Sequence, residues 1–419
     1  MTQTPEVMQL ADIRLSELEF WQRPLSEREN AFALLRKLSA PVFFPEPVQS
    51  IAPVGPGYYA LVRHADVLEA SRRPADFRST PIATRIEDMQ PAFAEYFGSL
   101  INMDDPRHAQ IRKIISRAFT PRMISRFQTQ VQTVATEIVQ DLTDRGPCDF
   151  VSHVASRLPL KVICDMMGIP EQERDTVFRL SNLIVGGDDP EFAPAGEQQW
   201  AGELLAAGQT LQELVAELSR HRRDHPADDL VTALCTANID NEQLSIEELG
   251  SFFILLIVAG NETTRNAIAH GLILLSEHED QRALLTADLE NRISGAVEEI
   301  IRYSSPITWM RRTVDHDTEL NGLPVKSGDK LVLYYWSANR DEAVFPDALS
   351  FDITRDPNPH IAFGGPGPHF CLGAHLARQE MITIFRQLLE RFPQIRAAGP
   401  PDRLVASFVN GIKRLPCEF

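Results

Sequence analysis

Phe363-Gly364-Gly365-Pro366-Gly367-Pro368-His369-Phe370-Cys371-Leu372-Gly373 is the stretch on which the reading of this chain turns. Proline and glycine crowd the segment from Pro346 to Pro368, and long irregular segments inside a globular chain are usually functional. A helical pattern, Leu372–Phe392, follows at once, so Cys371 stands where a glycine-rich loop feeds the start of a helix. A helix N-terminus offers positive potential and free N–H donors, which favour a thiolate over a thiol. Glycines let backbone amides approach the sulfur, and such hydrogen bonds tune a metal-bound thiolate. Gly373 would let the helix pass close under a flat cofactor. A glycine-rich loop alone would read as a turn before a helix with an incidental core cysteine. His369 two residues before Cys371 and Gly373 two after argue against that plainer reading.

The rest of the composition narrows the class. The chain has 419 residues, 43% hydrophobic and 24% charged, which is ordinary for a globular protein. Lys+Arg number 41 and Asp+Glu 58, a formal charge of −17. An acidic surface repels phosphate backbones, so no nucleic-acid partner is expected. Arg72, Arg73, Arg112, Lys113 and Arg117 read equally well as a local basic patch or as scattered solvated charge. Met1 to Phe20 carries Glu6, Asp12, Glu17 and Glu19 and no apolar h-region, which argues against a signal peptide. The longest apolar run, Phe252 to Ala259, is too short to span a bilayer. A cytoplasmic protein without a membrane span is the expectation. Of five cysteines, Cys148, Cys164, Cys235, Cys371 and Cys417, none forms C-x-x-C. The odd number and the spacing argue against a disulfide framework or a zinc knuckle.

Helical periodicity dominates, over Ile124–Asp144, Gln198–His221, Ile246–Ser276 and Gln281–Tyr303. Strand signals are few: Tyr58–Val62, Lys330–Tyr334 and Leu404–Val409. A mainly α protein with minor β near the N-terminus and in the last third is expected. Inside the third helix, Ala259-Gly260-Asn261-Glu262-Thr263-Thr264 is odd for a core segment. Gly260 weakens a helix, and Glu262 is costly if buried unpaired. Gly260 and Thr263 are three apart and share a face, so a missing side chain beside a hydroxyl forms a small polar notch. The plainer reading is a threonine bonded back to its own helix.

These motifs together resemble the cytochrome P-450 family. Its F-G-x-G-x-H-x-C-x-G pattern is matched fully from Gly367 onward; upstream, Phe363 lies eight residues before Cys371 where seven is usual, as if one residue were inserted near Pro366. Its central helix carries [AG]-G-x-[DE]-T-[TS], matched at every position by Ala259 to Thr264. The resemblance implies a cytochrome P-450 fold, one domain over 1–419 with a lead-in over 1–40, and haem b (iron protoporphyrin IX) with Cys371 as the axial iron ligand. Carried over, Thr263 donates a hydrogen bond to the oxygen being activated, Glu262 relays protons to it, and Gly260 lines the cofactor side of the helix. Glu299 and Arg302 match the family's E-x-x-R, with Arg355 as third charge, a triad read as fixing the loop that carries Cys371. His108 and Arg112 in a D-P-x-x-H-x-x-x-R match, Arg312, and His369 would hold the haem propionates, which favour Arg and His.

Met310-Arg311-Arg312-Thr313, Ser337 to Glu342, Pro357 to His360 and Asn410 to Lys413 are similar to the actinobacterial enzymes that oxidise the terminal methyl of cholesterol side chains and methyl-branched lipids. This resemblance implies a monooxygenase acting on a hydrophobic substrate with O2, supplied with electrons from NAD(P)H by a ferredoxin and its reductase. Family position gives the substrate pocket as Ile82, Phe93, Phe97, Val258, Ile307, Trp309, Met310, Phe408 and Val409, although aromatics at such places are more often plain core. Branched fatty acid and sterol remain alternatives. A peroxide-driven peroxygenase, or a non-oxygenating haem protein on the same fold, is the other class left open. The intact Glu262-Thr263 pair argues against the first, and the lack of a visible output domain against a gas sensor.

Overall fold

The computed structural model describes residues 8–48, 54–88, 90–118, 121–187, 189–192, 197–237 and 243–419. The N-terminal part opens with helices α1 (Leu18–Gln22) and α2 (Leu25–Arg36) and strands β1 (Val42–Phe44) and β2 (Tyr58–Leu61). Helix α3 (His64–Arg72), strand β3 (Phe77–Arg78) and helix α4 (Pro91–Phe97) follow. A helical middle comprises α5 (Arg107–Ala118), α6 (Pro121–Arg145), α7 (Arg157–Met167), α8 (Arg174–Val185), α9 (Glu197–Asp224) and α10 (Leu230–Thr236), interrupted by the short β4 (Cys148–Asp149).

The 32-residue helix α11 (Ile246–Glu277) runs through this middle. It starts where the sequence instructs it to. The Ser245 hydroxyl accepts from the Glu248 N–H at 3.1 Å while the Glu248 carboxylate accepts from the Ser245 N–H at 3.0 Å, a reciprocal cap. The apolar run Phe252–Ala259 lies inside it, and no helix among the described residues is long and apolar enough to cross a membrane. Ile257, Phe253 and Leu249 pack with α7, α9 and α10 in one cluster; Ile268, Leu272 and Leu275 pack with α6, with α13 (Leu289–Ser304) and with α15 (Ala374–Arg391) in another.

The expected single helix over Gln281–Tyr303 is two: α12 (Glu279–Ala287) and α13. Asp288 breaks it, with φ −147° and ψ 60°, and its carboxylate accepts from the Asn291 side chain at 2.8 Å. A short polar side chain that bonds locally stops one helix and starts the next, a competition that apolar periodicity does not register.

The last third adds β5 (Met310–Val314), β6 (Thr318–Leu320), β7 (Leu323–Val325), β8 (Lys330–Leu333), α14 (Tyr335–Ala338) and, after α15, β9 (Arg396–Ala397), β10 (Asp402–Arg403), β11 (Ile412–Arg414) and β12 (Pro416–Glu418). The five-stranded sheet has order β1-β2-β8-β5-β3, with β2 parallel to β8 in the register Tyr58↔Lys330. It ties the N-terminal residues to the last third. No strand covers Leu404–Val409, contrary to expectation. Those residues form the connection between β10 and β11, where the Leu404 N–H meets the Gly411 carbonyl at 3.0 Å and Val409 makes an isolated bridge to Ile307. Leu404, Val405 and Ala406 run without polar alternation, which makes the segment equally compatible with a loop. The lead-in is built into the core: Phe20, Trp21 and Phe32 pack with Tyr334 and Trp336. Cys148 and Cys417 face each other across β4 and β12 at 3.8 Å as free thiols.

Candidate functional site

The loop before α15 is shaped around Cys371. Its N–H donates to the Phe363 carbonyl at 2.9 Å, and the Gly364 N–H donates to Ile361 at 2.9 Å. Gly364 has φ 87°, a conformation a side chain would strain. Pro366 and Gly367, after that turn, stand exposed. A Cβ on Gly367 would collide with the Ser71 carbonyl, so the loop rests directly on α3. The Phe363 ring packs under the Arg378 guanidinium, 4.4 Å from the ring centroid.

Cys371, Leu372 and Gly373 are exposed, although they begin a helix that is otherwise part of the core. Although Cys371 opens onto uncovered surface, protein surrounds it on its other sides, and that desolvation raises its thiol; the amides of Gly373 and Ala374 and the cations Arg112 and Arg378 act in the opposite direction and favour the thiolate. Leu376, in the first turn of α15, packs in the cluster that holds Leu255, Leu256 and Val258 of α11. In that part of α11, Ala259 is exposed and Thr263 half-buried, in the middle of a helix whose other faces are covered. Both helices thus leave residues uncovered within otherwise buried segments. Nothing lies within 4 Å of where a Cβ on Gly373 would be. This is the space a flat group needs above a sulfur ligand.

On α11 the Thr263 hydroxyl donates to the Ala259 carbonyl at 2.6 Å. Glu262 is 1% exposed and ion-paired with Arg265; Arg265 in turn donates to the Asn182 side chain of α8 at 2.8 Å. Burial raises the Glu262 pKa and Arg265 opposes the rise. A Cβ on Gly260 would lie 3.3 Å from Ile163, so this glycine also sets how closely α7 approaches α11.

His108, Arg112, His369 and Arg312 come from α5, the Cys371 loop and β5, and they converge. The rings of His108 and His369 are 4.2 Å apart between centroids. Burial, then Arg312, His108 and Arg112, push His369 down to about 2, and burial, with help from Arg112, lowers His108. Arg112 donates to the Phe370 carbonyl at 2.7 Å. His108 Nε2 is buried without a hydrogen-bond partner, and Asp105, 3.4 Å away at Nδ1, is the carboxylate that meets this group. Among the described residues no carboxylate contacts Arg112, Arg312 or His369. Two arginines that no carboxylate meets, beside two neutral imidazoles one of which has an orphaned buried nitrogen, call for an anion. The donor set, the uncovered thiol and the open space fit a haem with its propionates on this side.

Two features escaped sequence reasoning. Asp104 accepts from the N–H groups of Ser79 and Thr80 at 2.8 and 2.9 Å, and Ser79 Oγ lies 3.0 Å from His369 Nε2. Its only sequence signal was its place before Asp105-Pro106. Glu298, beside the E-x-x-R glutamate, binds Arg378 at 2.5 Å and His360 at 2.9 Å, bracing α15 against α13. The E-x-x-R pair itself is buried, with Arg355 3.3 Å from Glu299.

The residues named for a substrate pocket fall into separate groups. Phe93 and Phe97 pack with Trp200 and Leu204 of α9. Val258 lies half-buried on α11, and Ile82 is 1% exposed. Ile307 bridges Val409 and shares a cluster with Met310. Trp309 and Phe408 meet edge to face at 5.0 Å inside the N-terminal aromatic cluster, which gives them the surroundings of core residues.

A family model described as cytochrome P450 matches residues 203–413. The chain is 44% identical over 421 residues to the methyl-branched lipid omega-hydroxylase of Mycobacterium tuberculosis, covering 100% of this chain and 97% of that one. It is 40% identical over 367 residues to the steroid C26-monooxygenase of Mycolicibacterium smegmatis, covering 87% and 84%. Among solved structures, a Mycobacterium marinum cytochrome P450 in complex with pseudoionone aligns at TM-score 0.91 and 39% identity over 97% of this chain and 98% of that one. A Bacillus megaterium enzyme in complex with corticosterone aligns at 0.79 and 30% identity over 94% of this chain and 99% of that one.

Proposed function

The chain belongs to the cytochrome P450 family and is a monooxygenase, and from that premise we propose that it hydroxylates the terminal methyl group of a methyl-branched lipid. The observation that carries the substrate class is the end-to-end identity with an enzyme named for that reaction; the lower identity to steroid C26-monooxygenases keeps a sterol side chain as the competing substrate. Both names place the oxidised carbon at a chain end.

The family implies haem, and we take it to be haem b, which the Cys371 sulfur would hold. When bound, the haem supplies the activation of dioxygen. The protein's share is holding and orienting. The Gly373 and Ala374 amides and Arg112 favour the anionic sulfur; His108, Arg112, His369 and Arg312 hold the propionates. The Thr263 hydroxyl, turned from the Ala259 carbonyl, would give a proton toward the oxygen being activated, and Glu262, once it has left Arg265 and taken a proton from solvent, would return one to the Thr263 oxygen. Glu299, Arg302 and Arg355 fix the segment before the Cys371 loop, and the whole chain acts as one domain. Ile82, Phe93, Phe97, Val258, Ile307, Met310 and Val409 wall the substrate, with Trp309 and Phe408 backing them. Two electrons come from NAD(P)H through a ferredoxin and its reductase.

Spectral titration of the haem-loaded enzyme tests the substrate class. A methyl-branched fatty acid should give a low- to high-spin shift at lower concentration than cholest-4-en-3-one, and turnover with ferredoxin, reductase and NADPH should place the hydroxyl on the terminal methyl. A shift with the sterol alone would transfer the activity to the steroid side chain. Turnover with peroxide but none with the electron-transfer proteins would overturn the monooxygenase mechanism.

A further inference from the structure

A cavity of about 230 Å³ lies between the N-terminal helices and the connection from β10 to β11, away from the Cys371 loop. Trp21, Trp336 and Val409 give it apolar walls, Thr308 a hydroxyl, and Arg23, Arg28 and Arg403 its charge. Neither Arg28 nor Arg403 is satisfied. Arg28 Nε and Arg403 Nη1 are buried without a hydrogen-bond partner, and no carboxylate of the described residues pairs with either side chain.

The two guanidiniums also work against each other. Burial and then Arg403 bring Arg28 down to about 10; burial lowers Arg403, with Glu277 opposing at a distance. The positive potential extends into α11. His270, whose Nε2–H donates to the Asn410 carbonyl at 3.0 Å, is lowered to about 3 by burial first and then by Arg403, with Arg340 and Arg28 contributing. Two like charges left half-buried and unpaired destabilise a fold, so their presence asks for a compensating anion. Of the two glutamates that flank Arg28 in sequence, Glu27 is exposed and Glu29 is turned to Arg340 Nε at 3.5 Å.

We propose that this cavity binds the oxyanion head of an amphiphile, a carboxylate or phosphate monoester gripped by Arg28 and Arg403, with its first methylenes between Trp21, Trp336 and Val409. Planar guanidiniums match such heads by paired hydrogen bonds, and the tryptophans suit an alkyl stem. The site goes beyond the hydroxylation proposed for Cys371 and does not depend on it. Two sources share this chemistry. The head is that of the substrate itself, entering along Thr308 and Val409, which bridges Ile307; or it belongs to a separate fatty acid held in this cavity.

Calorimetric titration of the haem-loaded enzyme with dodecanoate, dodecyl phosphate and dodecanol tests the site. The two anions should bind about 10- to 100-fold more tightly than the alcohol, the worth of one or two charge-assisted hydrogen bonds. R28Q/R403Q should abolish that difference and, with no ligand present, raise Tm, because it removes two unpaired charges; R28K/R403K should keep part of the preference. Equal binding of dodecanoate and dodecanol by the wild type overturns the proposal, a comparison that needs no variant, and so does unchanged anion binding by R28Q/R403Q. A Soret shift with dodecanoate that R28Q/R403Q loses identifies the substrate's own head; calorimetric binding without a Soret shift identifies a separate ligand. Failure of the terminal hydroxylation reading leaves both binding results intact.

Discussion

Arg302 and Glu299 form a two-point ion pair, both contacts 2.7 Å, with both side chains at 0% exposure. A buried pair is worth keeping only when every remaining donor and acceptor is met. Here they are. Arg302 also donates to the carbonyls of Asn339, Ala348 and Ser350, and Glu299 accepts from the Asp352 N–H, the Asn358 amide and Arg355. The pair is a knot between α13 and the irregular chain from 339 to 358. That chain leads straight into the Cys371 loop, so the knot fixes where the sulfur's loop begins.

Cutting one strand of that knot should therefore do more than loosen a helix. Glu299→Gln leaves Arg302 as a buried charge without its counter-ion, at a cost of about 3–5 kcal/mol. We expect a lower denaturation midpoint and a reduced haem content in the purified protein, read by the ratio of Soret to protein absorbance. A variant with wild-type stability and full haem content would show that the pair is dispensable.

The Thr263 hydroxyl donates inside its own helix, so it adds little to stability where it stands. Thr263→Ala should leave Tm and the ferrous carbon monoxide spectrum close to wild type. Product per NADPH oxidised should fall about tenfold or more, the scale of losing a positioned proton donor. Equal coupling in wild type and variant would remove Thr263 from the chemistry.

How much of this was legible in the sequence depends on the range of the interaction. The start of α11 at Ile246, its apolar run and the glycine-rich approach to Cys371 are local signals, and they were readable. The break at Asp288 was not, because one local side-chain bond decides it inside an unbroken apolar period. The bonding of Glu298 to Arg378 and His360 was also hidden, since its partners lie 80 and 62 residues away. The convergence of His108, Arg112, Arg312 and His369 was legible only through family pattern; no periodicity links positions on α5, β5 and a loop. The back-bond of Thr263 to its own helix was the plainer of the two readings of its sequence; the turning of Glu262 toward Arg265 is a rotamer choice that residue type does not encode.

Arg112 serves two groups at once. It donates to the Phe370 carbonyl, one residue from the sulfur, and adds positive potential beside His108, His369 and Cys371. Arg112→Ala should weaken haem retention about 10- to 100-fold, the loss of one charge-assisted contact, with a smaller effect on the unfolding of the haem-free protein. Haem transfer to apomyoglobin measures the first and urea denaturation the second. Unchanged haem transfer would take Arg112 out of the propionate set.

Glu380 of α15 is a buried acid without a counter-ion among the described residues. It is 3% exposed, its Oε2 has no hydrogen-bond partner, and burial alone raises its pKa to about 8. A folded pKa above the unfolded value of about 4.3 means that the folded state holds this proton more tightly. Its contribution is intact below about 4.3, is lost progressively as pH rises through the folded value of about 8, and changes no further above it. Glu380→Gln keeps the shape and removes the titration. The variant should gain stability over wild type on going from pH 5 to pH 8.5, by an amount on the order of a few kcal/mol. Chemical denaturation of both proteins across that range measures it; a difference that stays flat with pH would mean that Glu380 is charged or solvated in the folded protein at neutral pH.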